Sequence, residues 1–458
     1  MKPIKILIAK YNKASFIAFV VFLIFGTSLF ILRKDIEGKT FHILISMIFL
    51  YYAYHRWKMH GYNNFSVGII LGLASLFTLT IFNQTYLAIR STEQFDFMCF
   101  YMQGQLGLHN LPFYDPESFK ILLDTVKYPF SFQSGIKAEI LDVGMLSPPI
   151  TMLLFTPLTY FDYETSKIIF SLSILVFIFL NAYLANTIFV KSEKSLISFL
   201  FILIIIILNP ATSNTIAYLQ TNFFILFFIL LIYKNIEKPS AGIFLALSVI
   251  FKPITGILIL YFLFNSRWKP VLYFSIMSLL LLLLTISFWG IDNIISFLAS
   301  PPNQRLPQDL YVQGINQSLI AIFNRNLATY AIAYETINIL YFFVTGVITF
   351  ITIFASRKIA KYNLRLAFLP FIPLMLIVYP SSLSHYAVYL SLIILHFILL
   401  PNGEKYFWII LVPAISFINN EAFFAYLFVW TILVYFGTRN KIFEKSFDLF
   451  GGFRDAKL

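Results

Sequence analysis

Residues 271–289 read VLYFSIMSLLLLLLTISFW, nineteen side chains without a single charge. At about 1.5 Å of rise per residue such a run reaches roughly 28 Å as a helix, close to the ~30 Å hydrocarbon thickness of a bilayer. It reads as a membrane span. Further apolar runs lie upstream at 15–32, 41–54 and 66–89 and downstream at 331–355 and 366–379. Composition agrees: 33 Lys and Arg against 21 Asp and Glu make 12% of the chain charged, and 59% is apolar, where soluble domains carry about 25% charge. Mean hydropathy is +0.81. The expected fold is all-α, a polytopic integral membrane protein with about 12 to 14 transmembrane helices. The formal net charge of +12 reports basic loops retained on the cytoplasmic side, and no nucleic-acid partner is expected.

Basic turns set the sides. Lys2, Lys5, Lys10 and Lys13 precede the first run without a small-residue cleavage site, so the first span is read as retained with its N-terminus cytoplasmic. Arg267 and Lys269, then Arg357, Lys358, Lys361 and Arg365, and finally Arg439, Lys441 and Lys445 mark the same side. Two long loops, 90–147 and 290–329, and His385 then share the opposite, outer face. The first loop holds Glu93, Asp96, Asp115, Glu117, Asp124, Glu139 and Asp142; long connections of this kind are usually functional. Its stretch 114–128 mixes apolar and charged residues, the pattern of an interfacial helix. Between Pro148 and Phe264 two assignments satisfy parity. In one, 148–161 crosses the membrane. In the other it is re-entrant, crossing starts at Lys167, and the run 241–264 breaks at Lys252-Pro253. The second is preferred, because it keeps Lys191, Lys194, Lys234 and Lys238 cytoplasmic and lets the broken helix line a polar cavity.

Gly-rich phosphate loops, GxGxxG, HExxH and GxSxG are missing from the sequence, so nucleotide-driven transport and zinc hydrolysis have no support. The single cysteine, Cys99, excludes an internal disulfide and reads as core filler. No metal and no cofactor is expected. Asp96 sits among aromatics at a membrane border, where a carboxylate has a raised pKa and serves as a general base; a helix-capping acid explains it equally well. Lys252 inside an apolar run faces a cavity or snorkels. Gln220, Asn222, Asn316 and Gln317 suit sugar hydroxyls and phosphate oxygens, or the backbone of broken helices. Glu335 reads as a first-turn acid, and His396 as structural.

Asp96-Phe followed by aromatics, then Asn110-Leu-Pro-Phe-Tyr114-Asp115, Pro148-Pro149 and Pro157-Leu158 come in a telling order. After them stand Asn209-Pro210, Gln220-Thr-Asn222, Lys252-Pro253, Asn316-Gln317-Ser318-Leu319 and Ser381 to His385-Tyr386. This ordered set resembles glycosyltransferase family 87, the polyprenyl-phosphate-dependent mannosyltransferases of the GT-C superfamily. Ser147 stands where the family usually has Tyr before Pro-Pro, and Leu219 where it has Gly before Gln.

The resemblance implies one GT-C-type transmembrane domain over 1–458, with 1–65 a two-helix N-terminal extension. It implies an inverting membrane glycosyltransferase that moves mannose from a polyprenyl-phosphate donor to a lipid-linked or glycan acceptor. Its site would lie on the outer, periplasmic face of the plasma (inner) membrane, both termini being cytoplasmic. Asp96 becomes the catalytic base. The departing phosphate needs cations, for which His385 is the first choice and Lys252, Arg305 and Arg325 follow; Tyr114 and Asp115 join the substrate-binding set. A polytopic transporter, or a flippase or polymerase of lipid-linked saccharides, is the alternative, although transporters place ionisable groups near mid-span.

Overall fold

The structure is a computed structural model that describes residues 14–27, 36–60, 63–91, 95–115, 117–118, 121–122, 147–190, 196–299, 316–327, 330, 332–399 and 422–438. These residues are helical and contain no strand; Asn316 and Leu383 form an isolated antiparallel bridge. Arg305 and most of the stretch 114–128 lie outside them.

Among the described residues, four helices are long and apolar enough to cross a bilayer: Asn64–Arg90, Tyr163–Phe189, Trp268–Trp289 and Tyr334–Ala360. Their ends are written locally. Asn63 accepts from the Phe65 amide, and Asp162 accepts from the Thr165 amide at 3.0 Å and its hydroxyl at 2.8 Å, the capping that starts a helix. Gly290, at φ 76°, ends Trp268–Trp289. Only Pro270, Leu281 and Thr285 of that helix are buried, while Leu279, Leu280, Leu283 and Leu284 are exposed, as lipid permits and water does not. The protein is membrane-embedded.

The described residues hold helices of two lengths. Besides the four long helices there is one pair, Leu196–Leu208 with Pro210–Ala217, bent by 70°. Pro210 at the first helical position and the Asn209 side chain capping Ala211 make the break. Most other apolar helices are arms of 12 to 15 residues, which reach roughly 18–23 Å and fall short of the ~30 Å slab. Composition counts apolar residues and cannot see that length is divided this way.

The arms follow one another in three groups, called pairs below for the two long arms in each. The first rises along Leu196–Leu208, turns over Pro210–Ala217 and returns along Asn222–Lys234; the second is Ser240–Phe251 with Pro253–Phe264; the third is Leu364–Val378 with Ser384–Ile398. Their lower ends gather the basic turns. The Tyr261 hydroxyl donates to the Leu364 carbonyl at 2.9 Å, Asn265 to Ser356 at 2.9 Å, and the Arg365 guanidinium lies 5.7 Å from the Tyr233 ring centre. Gly242 admits the Pro270 backbone so closely that a Cβ there would stand 1.9 Å from its carbonyl oxygen, locking the second pair to a long helix.

At the other end the arms stop partway along the long helices. Phe224, near the top of its arm, stacks on Phe170 at 5.7 Å and meets Phe177 at a tilt at 4.2 Å, both within Tyr163–Phe189. Helix Phe95–Leu108 and the segment 149–160 lie above these arm tops. That segment is one α-turn between two 3₁₀ turns, too short to cross. It packs along Phe95–Leu108 through Phe100 stacked on Phe155 at 4.4 Å and Gln105 bonded to the Thr159 carbonyl at 3.0 Å. A Cβ on Gly104 would meet Thr159 at 2.6 Å. The long helix that follows starts at the Asp162 cap rather than at Lys167. Lys167 instead bonds Ser91 O at 3.2 Å and Glu164 at 2.8 Å, tying this helix to the end of Asn64–Arg90.

Candidate active site

Three breaks in three bent pairs place their polar residues together. In the first pair, Leu219 takes φ 49° after Pro210–Ala217, and the Gln220 amide bonds back to the Thr215 carbonyl at 2.9 Å. This left-handed turn is what glycine adopts freely; Leu219 keeps the turn at some strain. In the second pair, Pro253 forces Lys252 into extended backbone, φ −154° and ψ 129°. In the third, Leu383 is extended and 3₁₀ helix Ser384–Leu390 follows.

Lys252 is the hub. Its ammonium donates to Gln220 Oε1 at 2.6 Å and Asn222 Oδ1 at 3.2 Å and lies 4.0 Å from the Tyr386 ring centre, a cation–π contact. Asn222 Oδ1 also accepts from the Tyr389 hydroxyl at 2.8 Å, while its amide donates to Thr215 Oγ1 at 3.1 Å and the His385 carbonyl at 3.3 Å. Every hydrogen-bonding position of this fully buried side chain is used.

Asp96 stands in the first turn of Phe95–Leu108, where the charge of Lys252 acts on it. Burial holds its carboxyl above the usual carboxylate range, opposed by a hydrogen bond from the Gln220 side chain and by the Lys252 charge. His385 is buried at 4% exposure, and its Nε2 has no hydrogen-bond partner among the described residues. An unpaired buried ring nitrogen costs stability unless something binds it. Chemically, the cluster offers a carboxylate able to take a proton, a cation and an open donor or acceptor.

A second group of expected residues lies elsewhere. Asn316 donates to the Pro380 carbonyl at 3.1 Å, the Gln317 amide to the Ser382 carbonyl at 2.6 Å, and Ser318 to the Pro380 carbonyl at 2.8 Å. Gln317 Oε1 accepts from the Phe423 amide, and Arg325 donates to the Asn316 carbonyl at 2.7 Å. These residues form a strap across the loop that leads into His385. Tyr114 bonds the Ser147 carbonyl at 2.8 Å, and Asp115 caps its own turn through Ser118. His396 pairs with the Tyr233 hydroxyl at 2.6 Å, Cys99 is half-buried against the core, and Glu335 sits in a first helical turn.

Residues 146–380 match the model of glycosyltransferase family 87. The chain belongs to that family. No curated protein and no solved structure matches it. Family membership makes it a membrane glycosyltransferase, with a sugar donor and an acceptor. Gln220, Asn222 and Lys252 fall inside the matched residues. Asp96 and His385 fall outside; the His385 carbonyl accepts from Asn222 at 3.3 Å, and Asp96 is linked through the charge of Lys252. Sequence reasoning missed Thr215 and Tyr389. Tyr389 had a signal, because Tyr386 and Tyr389 are three apart and 3₁₀ geometry puts such residues on one face.

Proposed function

We propose that this chain transfers mannose from a polyprenyl-phosphate donor to a lipid-linked or glycan acceptor, with inversion. The observation that carries the reading is the meeting of Asp96, Lys252 and the open Nε2 of His385 where the half-length arms end. An acceptor hydroxyl gives its proton to Asp96 as its oxygen bonds the anomeric carbon. The bond from that carbon to the phosphate oxygen breaks, and the electron pair leaves on polyprenyl phosphate. Lys252 and His385 face the charge that develops there; preorganised donors of this kind stabilise such charge strongly in a water-poor site. A single displacement inverts the anomeric configuration. Half-length arms let the phosphate enter below the membrane surface while the prenyl chain stays in lipid.

We place this site on the outer face of the plasma membrane, opposite the basic turns, with both termini cytoplasmic. Purified protein in lipid nanodiscs, given polyprenyl-phosphate-mannose and a glycolipid extract, should release polyprenyl phosphate and form an inverted glycosidic linkage. Donor that crosses the bilayer unconsumed would point to a flippase instead.

A further inference from the structure

We infer that Asn222 is a positioning residue: its amide, held by the Tyr389 hydroxyl, sets the direction of the Lys252 ammonium and ties it to the His385 main chain. The inference rests on Lys252 serving the departing phosphate. Four contacts carry it. The Asn222 oxygen accepts from Lys252 at 3.2 Å and from the Tyr389 hydroxyl at 2.8 Å, and the Asn222 NH₂ donates to Thr215 Oγ1 at 3.1 Å and to the His385 carbonyl at 3.3 Å. An ammonium only donates and a carbonyl only accepts, so the amide fits one way round. Both lone pairs and both hydrogens are then spent, on a side chain that is fully buried. Residue type suits Asn222 to sugar hydroxyls and phosphate oxygens, but this amide has nothing left with which to bind them.

Asn222 opens helix Asn222–Lys234, and its partners come from all three pairs of arms. Tyr386 and Tyr389 are three apart in 3₁₀ helix Ser384–Leu390, with ring centres 6.1 Å apart, a spacing that puts them on one face. From that face Tyr386 presents its ring to Lys252 at 4.0 Å, and Tyr389 presents its hydroxyl to Asn222. An ammonium has three N–H groups. Gln220 Oε1 takes one at 2.6 Å and Asn222 takes another, and two fixed N–H directions fix the third. That third N–H is the one left for the phosphate. Without the Asn222 oxygen the ammonium can turn about its own side-chain bonds, and a donor displaced by about 1 Å from developing charge costs up to about 10²-fold in rate.

The test is steady-state turnover of polyprenyl-phosphate-mannose by the full chain in nanodiscs, arranged as double-mutant cycles with Lys252→Met. Tyr389→Phe removes one hydroxyl and keeps the ring; kcat should fall about 3- to 10-fold with donor KM within about twofold. Asn222→Leu should lower kcat about 10- to 100-fold, again with little change in KM. On the Lys252→Met background each substitution should change kcat by less than about twofold, because the ammonium through which it acts is gone. Effects that persist in full on that background mark a role in packing alone and overturn the inference. A raised donor KM with an unmoved kcat, the mark of a substrate ligand, overturns it too, as does wild-type kcat in Tyr389→Phe, which decides the matter even where Asn222→Leu does not fold. If Lys252→Met loses turnover while Tyr389→Phe and Asn222→Leu keep it, the phosphate role of Lys252 stands and the positioning role falls. If Lys252→Met itself keeps turnover, the reading of Lys252 falls.

Discussion

The returning arm of the third bent pair carries two buried histidines in opposite settings. His385 and His396 are each 4% exposed. His396 lies among Phe189, Tyr233 and Phe397, its Nδ1 taken by the Tyr233 hydroxyl, near the basic turns. His385 stands beside Tyr218, Tyr386 and Lys252 with Nε2 open. Residue type and burial are the same, so neither separates structure from chemistry. What separates them is the company of the ring: the Tyr233 hydroxyl holds Nδ1 of His396 among aromatic rings, whereas His385 stands where the Lys252 charge acts on it. One end of the arm is tied to a tyrosine, and the other faces a cation.

The largest effect expected of this difference is at the end that holds Lys252. Asp96→Asn keeps size and hydrogen bonding but removes basicity, and turnover should fall by about 10² to 10⁴ while the protein stays folded. Purified yield, thermal unfolding and product release measure the two together. His385→Ala should lower donor turnover by roughly 10- to 100-fold, with little change in thermal stability, because no hydrogen bond to its Nε2 is lost. His396→Ala should do the reverse: it orphans the Tyr233 hydroxyl at a cost of about 1–3 kcal/mol, and turnover per folded molecule should hold. Equal losses of activity in both histidine variants would erase the comparison.

The same contrast bears on which parts of the molecule were readable from its residues. Long charge-free runs such as 271–289 gave the spans, and Pro after Lys252 gave the break. The arms were not separable from full spans, because an apolar stretch of a dozen residues carries no mark of where in the bilayer it stops. Asp96, Gln220, Asn222, Lys252 and His385 were legible because a polar residue in apolar surroundings stands out. The strap was not, since Asn316 meets Leu383 across a separation that no local pattern encodes, and Thr215 is one hydroxyl among many. Asn316→Ala should accordingly act at a distance, loosening the loop before His385 and lowering kcat by a few-fold, measured beside an unchanged acceptor KM.

The smallest effect is a shift in pH. A base must be deprotonated, and burial raises the Asp96 carboxyl, so activity should be lost as pH falls through a value above the usual carboxylate range of about 4. A pH–rate profile with its acid limb at an ordinary aspartate value would mean that Asp96 is solvated when it works.

The most direct measurement is an experimental structure of the chain in lipid with a non-reactive polyprenyl-phosphate sugar bound. The phosphate should lie within hydrogen-bond reach, about 3 Å, of the Lys252 ammonium and His385 Nε2. The anomeric carbon should face Asp96, and the prenyl chain should leave sideways into the bilayer. A phosphate bound elsewhere, with Asp96 and His385 untouched by the ligand, would contradict a shared active site at the ends of the arms.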